Sequence, residues 1–198
     1  MTDLIFWKKS PQKVLKTETQ EQTREVFMNE TKKRMLVFEA KRWVGIKEIG
    51  GANRGQVVEM FQKAVDGKAS GEPWCLSFVQ FCLQMVDKEY DFVRQMKAAK
   101  AVVFETEHCL TLWNKSSVNQ KNKLPEPGTI VLWQHGDSTS GHAGIVTEVL
   151  EKGEFRTVEG NTSGGVGVVR EGDGVFERVR SINGSGSMKI IGFVKPWL

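Results

Sequence analysis

The side chains best suited to nucleophilic chemistry are three cysteines, Cys75, Cys82 and Cys109, and three histidines, His108, His135 and His142. A thiol attacks only as the thiolate, and the free amides and dipole of a helix N-terminus favour that anion. Gly71-Glu72-Pro73 turns the chain just before an apolar run in which Cys75, Val79, Cys82 and Val86 recur at three- and four-residue intervals. This spacing predicts a helix starting at Trp74, with Cys75 in its first turn, where amides are also free to receive an oxyanion. Cys82 follows seven residues later, two turns and about 10 Å along the axis, so it cannot bridge to Cys75 and reads as a small core residue. Cys109 adjoins His108, but neighbouring residues point in different directions, which speaks against a dyad there. The cysteine spacing fits no Cys-x-x-Cys zinc or redox pattern, and free thiols are expected.

Strand pairing favours His142 as the base. If Thr147–Leu150 pairs with Glu154–Val158 across a turn near Lys152-Gly153, facing residue numbers sum to about 303 to 305. His142 then faces residues 161–163, and Glu159 and Asn161 share one strand face, within reach of its imidazole. A carboxylate or amide on one ring nitrogen fixes the tautomer and leaves the other nitrogen to take the thiol proton. Glu159 is the preferred orienting residue, and Asn161 can substitute or assist.

The elements that must hold these groups fall into two halves. Residues 17–44 lack Gly and Pro and carry apolar residues near helical spacing, predicting one long helix or two in succession. Four glycines between Gly45 and Gly55 break that helix, and a second follows from Gln56 to Val65. After Pro125 and Pro127-Gly128, the segments Thr129–Trp133, Gly144–Leu150, Glu154–Glu159 and Ile190–Val194 read as strands. Helices followed by strands predict an α+β domain whose N-terminal helices pack on an antiparallel sheet. The glycine-rich stretch 160–187 predicts weak edge strands and mobile loops.

At 198 residues, 39% hydrophobic and 26% charged, the chain has the balance of a folded globular protein. Its net charge of +4 is concentrated in residues 1–42, which hold ten Lys or Arg against six Asp or Glu. Such an arm can touch anionic wall polymers, membrane or nucleic acid, although a solvated basic helix face is the plainer expectation. The apolar run Leu4–Trp7 is too short for the core of an export signal, and no stretch is long enough for a membrane span. The expected product is a monomer made in the cytoplasm.

With these residues assigned, the sequence resembles the CHAP family of cysteine, histidine-dependent amidohydrolases and peptidases, a papain-like group allied to NlpC-type wall hydrolases. The resemblance rests on Val44-Gly45-Ile46-Lys47-Glu48 with Gly50–Gly55, on Gly71-Glu72-Pro73-Trp74-Cys75 with Phe78-Val79, and on Pro127-Gly128. It continues through Gly141-His142-Ala143-Gly144-Ile145-Val146, Val158-Glu159-Gly160-Asn161 and Gly192-Phe193-Val194-Lys195-Pro196. It covers about residues 36–198, leaving 1–35 as a basic helical extension. It implies Cys75 as nucleophile, His142 as base, Glu159 as orienting residue, Asn161 as support and peptidoglycan as substrate. Thr129 stands where many relatives carry Asp after Pro-Gly. Some relatives bind calcium through acids flanking the nucleophile, but here only Asp66 and Glu72 precede Cys75 and Ser77 follows, so no metal or cofactor is expected. Trp74, Trp113, Trp133 and Trp197 are candidates for a substrate groove, Trp74 foremost because it adjoins the nucleophile.

The cleaved bond would join muramic acid to Ala, or two stem-peptide residues, in a phage lysin, a secreted antibacterial toxin or a wall-remodelling enzyme. Without an export signal, such a protein needs a release or secretion partner to reach the wall. The competing expectation is a non-catalytic wall- or partner-binding module that keeps the shell and uses its basic arm. A zinc site from His108, Cys109, His135 and His142 matches no common ligand spacing.

Overall fold

The computed structural model describes residues 11–94, 100–163, 172–184 and 186–198. The apolar run Leu4–Trp7 and part of the glycine-rich stretch 160–187 lie outside them. The Gly- and Pro-free region forms one helix, α1 (Pro11–Arg42), with Lys41 and Arg42 in its last turn, where cations suit the helix dipole. It passes through residues 35 and 36 without a break. Leu36 and Ala40 are fully buried, and Lys32 is only 1% exposed. Lys32 Nζ donates to Asp87 Oδ1 at 2.8 Å and lies 5.1 Å from the Tyr90 ring and 5.5 Å from the Trp197 ring. Asp87 also accepts from Trp197 Nε1 at 3.2 Å and from the Ala101 amide at 2.8 Å. One buried carboxylate thus ties α1 to the third helix and to the C-terminal residues. Part of the basic excess of α1 is matched nearby, since Lys33 pairs with Glu30 and Glu126 and Arg42 pairs with Glu39.

Helix α2 (Gln56–Asp66) ends on Gly67 in the left-handed region, whose amide donates to Lys63 O at 3.1 Å. Gln62 Nε2 donates to Glu72 O at 2.7 Å and fixes the turn that leads into α3 (Cys75–Arg94). Every residue from Trp74 to Leu83 is buried, so this part of α3 is an interior helix rather than an amphipathic one. The helix also runs beyond Val86, where the apolar stripe in the sequence stops. A short α4 (Cys109–Lys115) follows, which the sequence did not reveal.

Among the described residues six strands form one antiparallel sheet: β1 (Lys121–Asn122), β2 (Ile130–His135), β3 (Gly141–Val149), β4 (Glu154–Thr162), β5 (Gly174–Ser181) and β6 (Met188–Val194). Their order is β1-β6-β2-β3-β4-β5. Within the glycine-rich stretch β5 is a full eight-residue edge strand, longer than the weak edge predicted there. The β3–β4 register pairs Ile145 with Val158 and, beyond a bulge, Val149 with Phe155, sums of 303 and 304. The turn is where the sequence put it, with Lys152 and Gly153 at φ 56 and 75°.

Alternation along the strands gives the sheet two apolar faces. Ile130, Leu132, Ala143, Ile145 and Val158 face the helices and form the main core with α1, α2 and α3. Val131, Trp133, Val146, Phe155, Met188 and Phe193 form a smaller cluster on the other face. Gly160 lets β4 approach α3, because a Cβ there would come 2.7 Å from Phe78 Cβ and 2.8 Å from the Trp74 ring.

Candidate active site

The start of β3 meets the start of α3 at the candidate site. Trp74 O accepts the first helical hydrogen bond, from Phe78 N at 2.9 Å, which places Cys75 at the first residue of α3. Its sulfur lies beside the Ala143 amide of β3, the imidazole of His142 and the thiol of Cys109. His142 lies opposite Trp133, with the two rings 5.5 Å apart. His142 Nε2 and Glu159 Oε2 are 2.8 Å apart. That bond occupies one ring nitrogen and leaves Nδ1 for Cys75.

Glu159 is 0% exposed. Arg180 on β5 donates through Nε to Oε1 at 2.7 Å and through Nη2 to Oε2, a two-pronged pairing. Thr157 Oγ1 adds a third donor at 2.5 Å. The guanidinium of Arg180 lies 5.4 Å over the Trp133 ring, so the ring that flanks His142 also supports the group that holds Glu159. Gly144 leaves room for this arrangement, since a Cβ there would stand 2.7 Å from Glu159 Cγ.

The charges of the three groups depend on one another. At Cys75 the hydrogen bond from Cys109 is the strongest influence and favours the thiolate. Burial opposes it, and the hydrogen bond and charge of His142, with the Ala143 amide, leave the thiol well below its ordinary range. At His142 burial favours the neutral ring, but hydrogen bonds and charges from Cys75 and Glu159 together outweigh it and raise the imidazole to about 9. At Glu159 burial is likewise overcome, here by Arg180 and His142, which hold the carboxyl well below the usual carboxylate range. The three shifts act together to favour a thiolate beside an imidazolium, backed by a carboxylate.

Asn161 does not share the role of Glu159. It sits at φ 50°, a conformation asparagine tolerates. With its amide oriented to satisfy both ends, its oxygen accepts from the Trp74 amide at 3.2 Å and its nitrogen donates to Gly172 O at 3.0 Å. It thus ties the end of β4 to the residue before Cys75. Trp74 corrects the expectation of a groove residue: its ring is 0% exposed, stacks on Phe61 at 5.7 Å and donates Nε1–H to Glu48 at 2.9 Å. Its indole belongs to the core because an interior helix starts there.

Cys82 is buried, and burial first, then the charge of Glu39, pushes its thiol up. Among the described residues no group of three or more His, Cys, Asp or Glu side chains is placed to hold a metal ion. Cavities of about 470 Å³ between α1 and Pro127, and about 290 Å³ beside α3, lie away from Cys75 and His142. Arg180, Thr157 and Cys109 were missed in the sequence. Thr157 sits two residues before Glu159 on the same strand face, whereas the other two reach the site only through tertiary packing.

Residues 67–161, just under half of the chain, match the family model of the CHAP domain. This stretch is similar to the CHAP domain. The match includes Cys75, Cys109, His142, Glu159 and Asn161, whereas Arg180, the β5 and β6 strands and the motif around Gly50–Gly55 fall outside it. CHAP domains are typically hydrolases, amidases or peptidases, with peptidoglycan-related activity, and this assigns the chain in general terms to chemistry on the cell wall. No curated protein and no solved structure matches the chain. Among the described residues no helix is long and apolar enough to cross a membrane.

Proposed function

We propose that the chain hydrolyses an amide bond in the peptide part of peptidoglycan through a thioester on Cys75. The observation that carries this reading is the continuous chain of contacts from the Cys75 sulfur through His142 to Glu159. The thiolate attacks the carbonyl carbon, and the oxyanion that forms meets the amides of the first turn of α3. Imidazolium Nδ1 gives its proton to the leaving amine, the C–N bond breaks, and the acyl group stays on sulfur. His142, now neutral, takes a proton from water as the hydroxide attacks the thioester, and the carboxylic acid leaves with the thiolate restored. Glu159 keeps its proton inventory throughout. It orients the ring and stabilises the cation, and for this it must itself stay ionised, which Arg180 and Thr157 secure.

Asn161 supports the site indirectly, by fixing the backbone before the nucleophile. The reading places the action of the protein at the wall, as a lysin, a toxin or a remodelling enzyme. Cys75→Ala and Cys75→Ser are the test. Each should keep the fold, by circular dichroism, and stop the release of soluble fragments from purified sacculi. Undiminished release by a folded variant rejects the mechanism. Mass spectrometry of wild-type products then distinguishes a muramoyl–Ala bond from one within the stem peptide.

A further inference from the structure

The mechanism above uses one thiol, but the site holds two. Cys109, the first residue of α4, is buried against β3 beside His142, and its thiol neighbours that of Cys75. Gly141, next to His142, makes the approach possible, because a Cβ at that position would lie 2.9 Å from Cys109 Cβ. Three cysteines are free and buried, yet only these two meet. Residues 100–108, which lead into α4, form no helix or strand, and α4 itself is only seven residues long. A small shift of such a segment is cheaper than a shift of the first half of α3, where every residue through Leu83 is buried.

We propose that Cys75 and Cys109 close into a reversible disulfide that switches the nucleophile off. The oxidant is a hydroperoxide. The Cys75 thiolate attacks the outer peroxide oxygen, the O–O bond breaks, and the alkoxide or hydroxide leaves as alcohol or water after taking a proton, giving a sulfenic acid at Cys75. The Cys109 sulfur then attacks the sulfenic sulfur, the S–O bond breaks, and water leaves with the Cys109 proton. Two thiols and one peroxide become one disulfide, one water and one alcohol or second water. A small dithiol reverses the process by exchange. The asymmetry of the pair suits these roles: the thiol favoured as thiolate meets the oxidant, and its neighbour, whose thiol is pushed up by the hydrogen bond to Cys75 and by burial, resolves the product. Cys109 also guards the nucleophile against further oxidation, since a sulfenic acid trapped as disulfide does not pass to the irreversible sulfinic state.

The effect on catalysis rests on the proposed function, but the bond itself does not, and the experiment reads the two separately. The intact chain is titrated with hydrogen peroxide, quenched, digested without reductant and examined by mass spectrometry, while sacculus digestion is followed in parallel. The expected result is a peptide linking Cys75 to Cys109, loss of digestion in step with it, and recovery of both thiols and digestion with dithiothreitol. In Cys109→Ser, or in Cys109→Ala if the serine variant does not fold, Cys75 should instead pass to sulfinic acid, and dithiothreitol should restore nothing. Sulfinic acid at Cys75 of the wild type without any linked peptide overturns the proposal. A linked peptide in a chain that never digests sacculi upholds the disulfide and refutes the hydrolase.

Discussion

Replacing Arg180 with Met tests whether the buried carboxylate depends on its cation. Glu159 is 0% exposed and Arg180 is 11% exposed in its side chain, so solvent cannot take the place of the lost guanidinium. The variant removes two charge-assisted hydrogen bonds and leaves only His142 and Thr157. Breaking a buried ion pair by removing one partner costs about 3–5 kcal/mol. For a chain of this size about 1 kcal/mol moves the melting point by roughly 2–4 °C, which gives a fall of about 6–20 °C.

The pH dependence has a definite sign. A carboxyl held below its unfolded value contributes stability that is present above that value and is lost as pH falls through the folded one. Removing Arg180 raises the folded value of Glu159, so the loss begins at a higher pH and the gap between variant and wild type changes across the acid range. The assay is thermal unfolding by circular dichroism at neutral pH and through the carboxylate range, with Arg180→Lys as the conservative control. Lys retains the charge but not the two-pronged geometry, and it should fall between the two. An Arg180→Met melting point equal to that of the wild type at every pH would refute the role assigned to this pair.

The rate profile should be bell-shaped in kcat/KM, with an acid limb well below the ordinary thiol range and an alkaline limb near 9, where the imidazolium loses its proton. The same proton links to stability: because His142 is raised on folding, its contribution is complete below the unfolded value of about 6.5 and fades as pH climbs through the folded one. Glu159→Gln removes a support of the cation, and the alkaline limb should move down with a fall in kcat of roughly 10² to 10⁴; an unmoved limb in stopped-assay rates argues against Glu159 as the orienting group. Lys32→Met strands the Asp87 carboxylate and should cost about 3–5 kcal/mol in denaturant unfolding while the chemistry of a folded sample is unchanged. A stability equal to wild type would show that α1 is not held through this pair.

Short-range pattern was enough for the local parts of this protein. The Pro73 turn and the apolar periodicity place the start of α3 at Trp74, one residue before Cys75 where the helix begins, because helix initiation depends on neighbours within a few residues. The β3–β4 hairpin was equally legible: a short turn fixes register, and alternation then places Glu159 on the face of His142. Tertiary structure decided what comes from afar. Register puts Phe176, not Arg180, opposite Glu159, and Arg180 reaches the carboxylate only because long side chains lean along strands and Trp133 supports the guanidinium. Cys109 looked inert beside His108, since its partner thiol lies 34 residues away in sequence and meets it only when α4 settles against Gly141. Trp74 looked available because it adjoins the nucleophile, yet the closing of Phe61, Phe78 and Gly160 around it left it no exposure. Short-range pattern fixes which groups exist and which way each strand or helix presents them, whereas burial and long-range contact, which no single segment encodes, decide which of those groups share a charge.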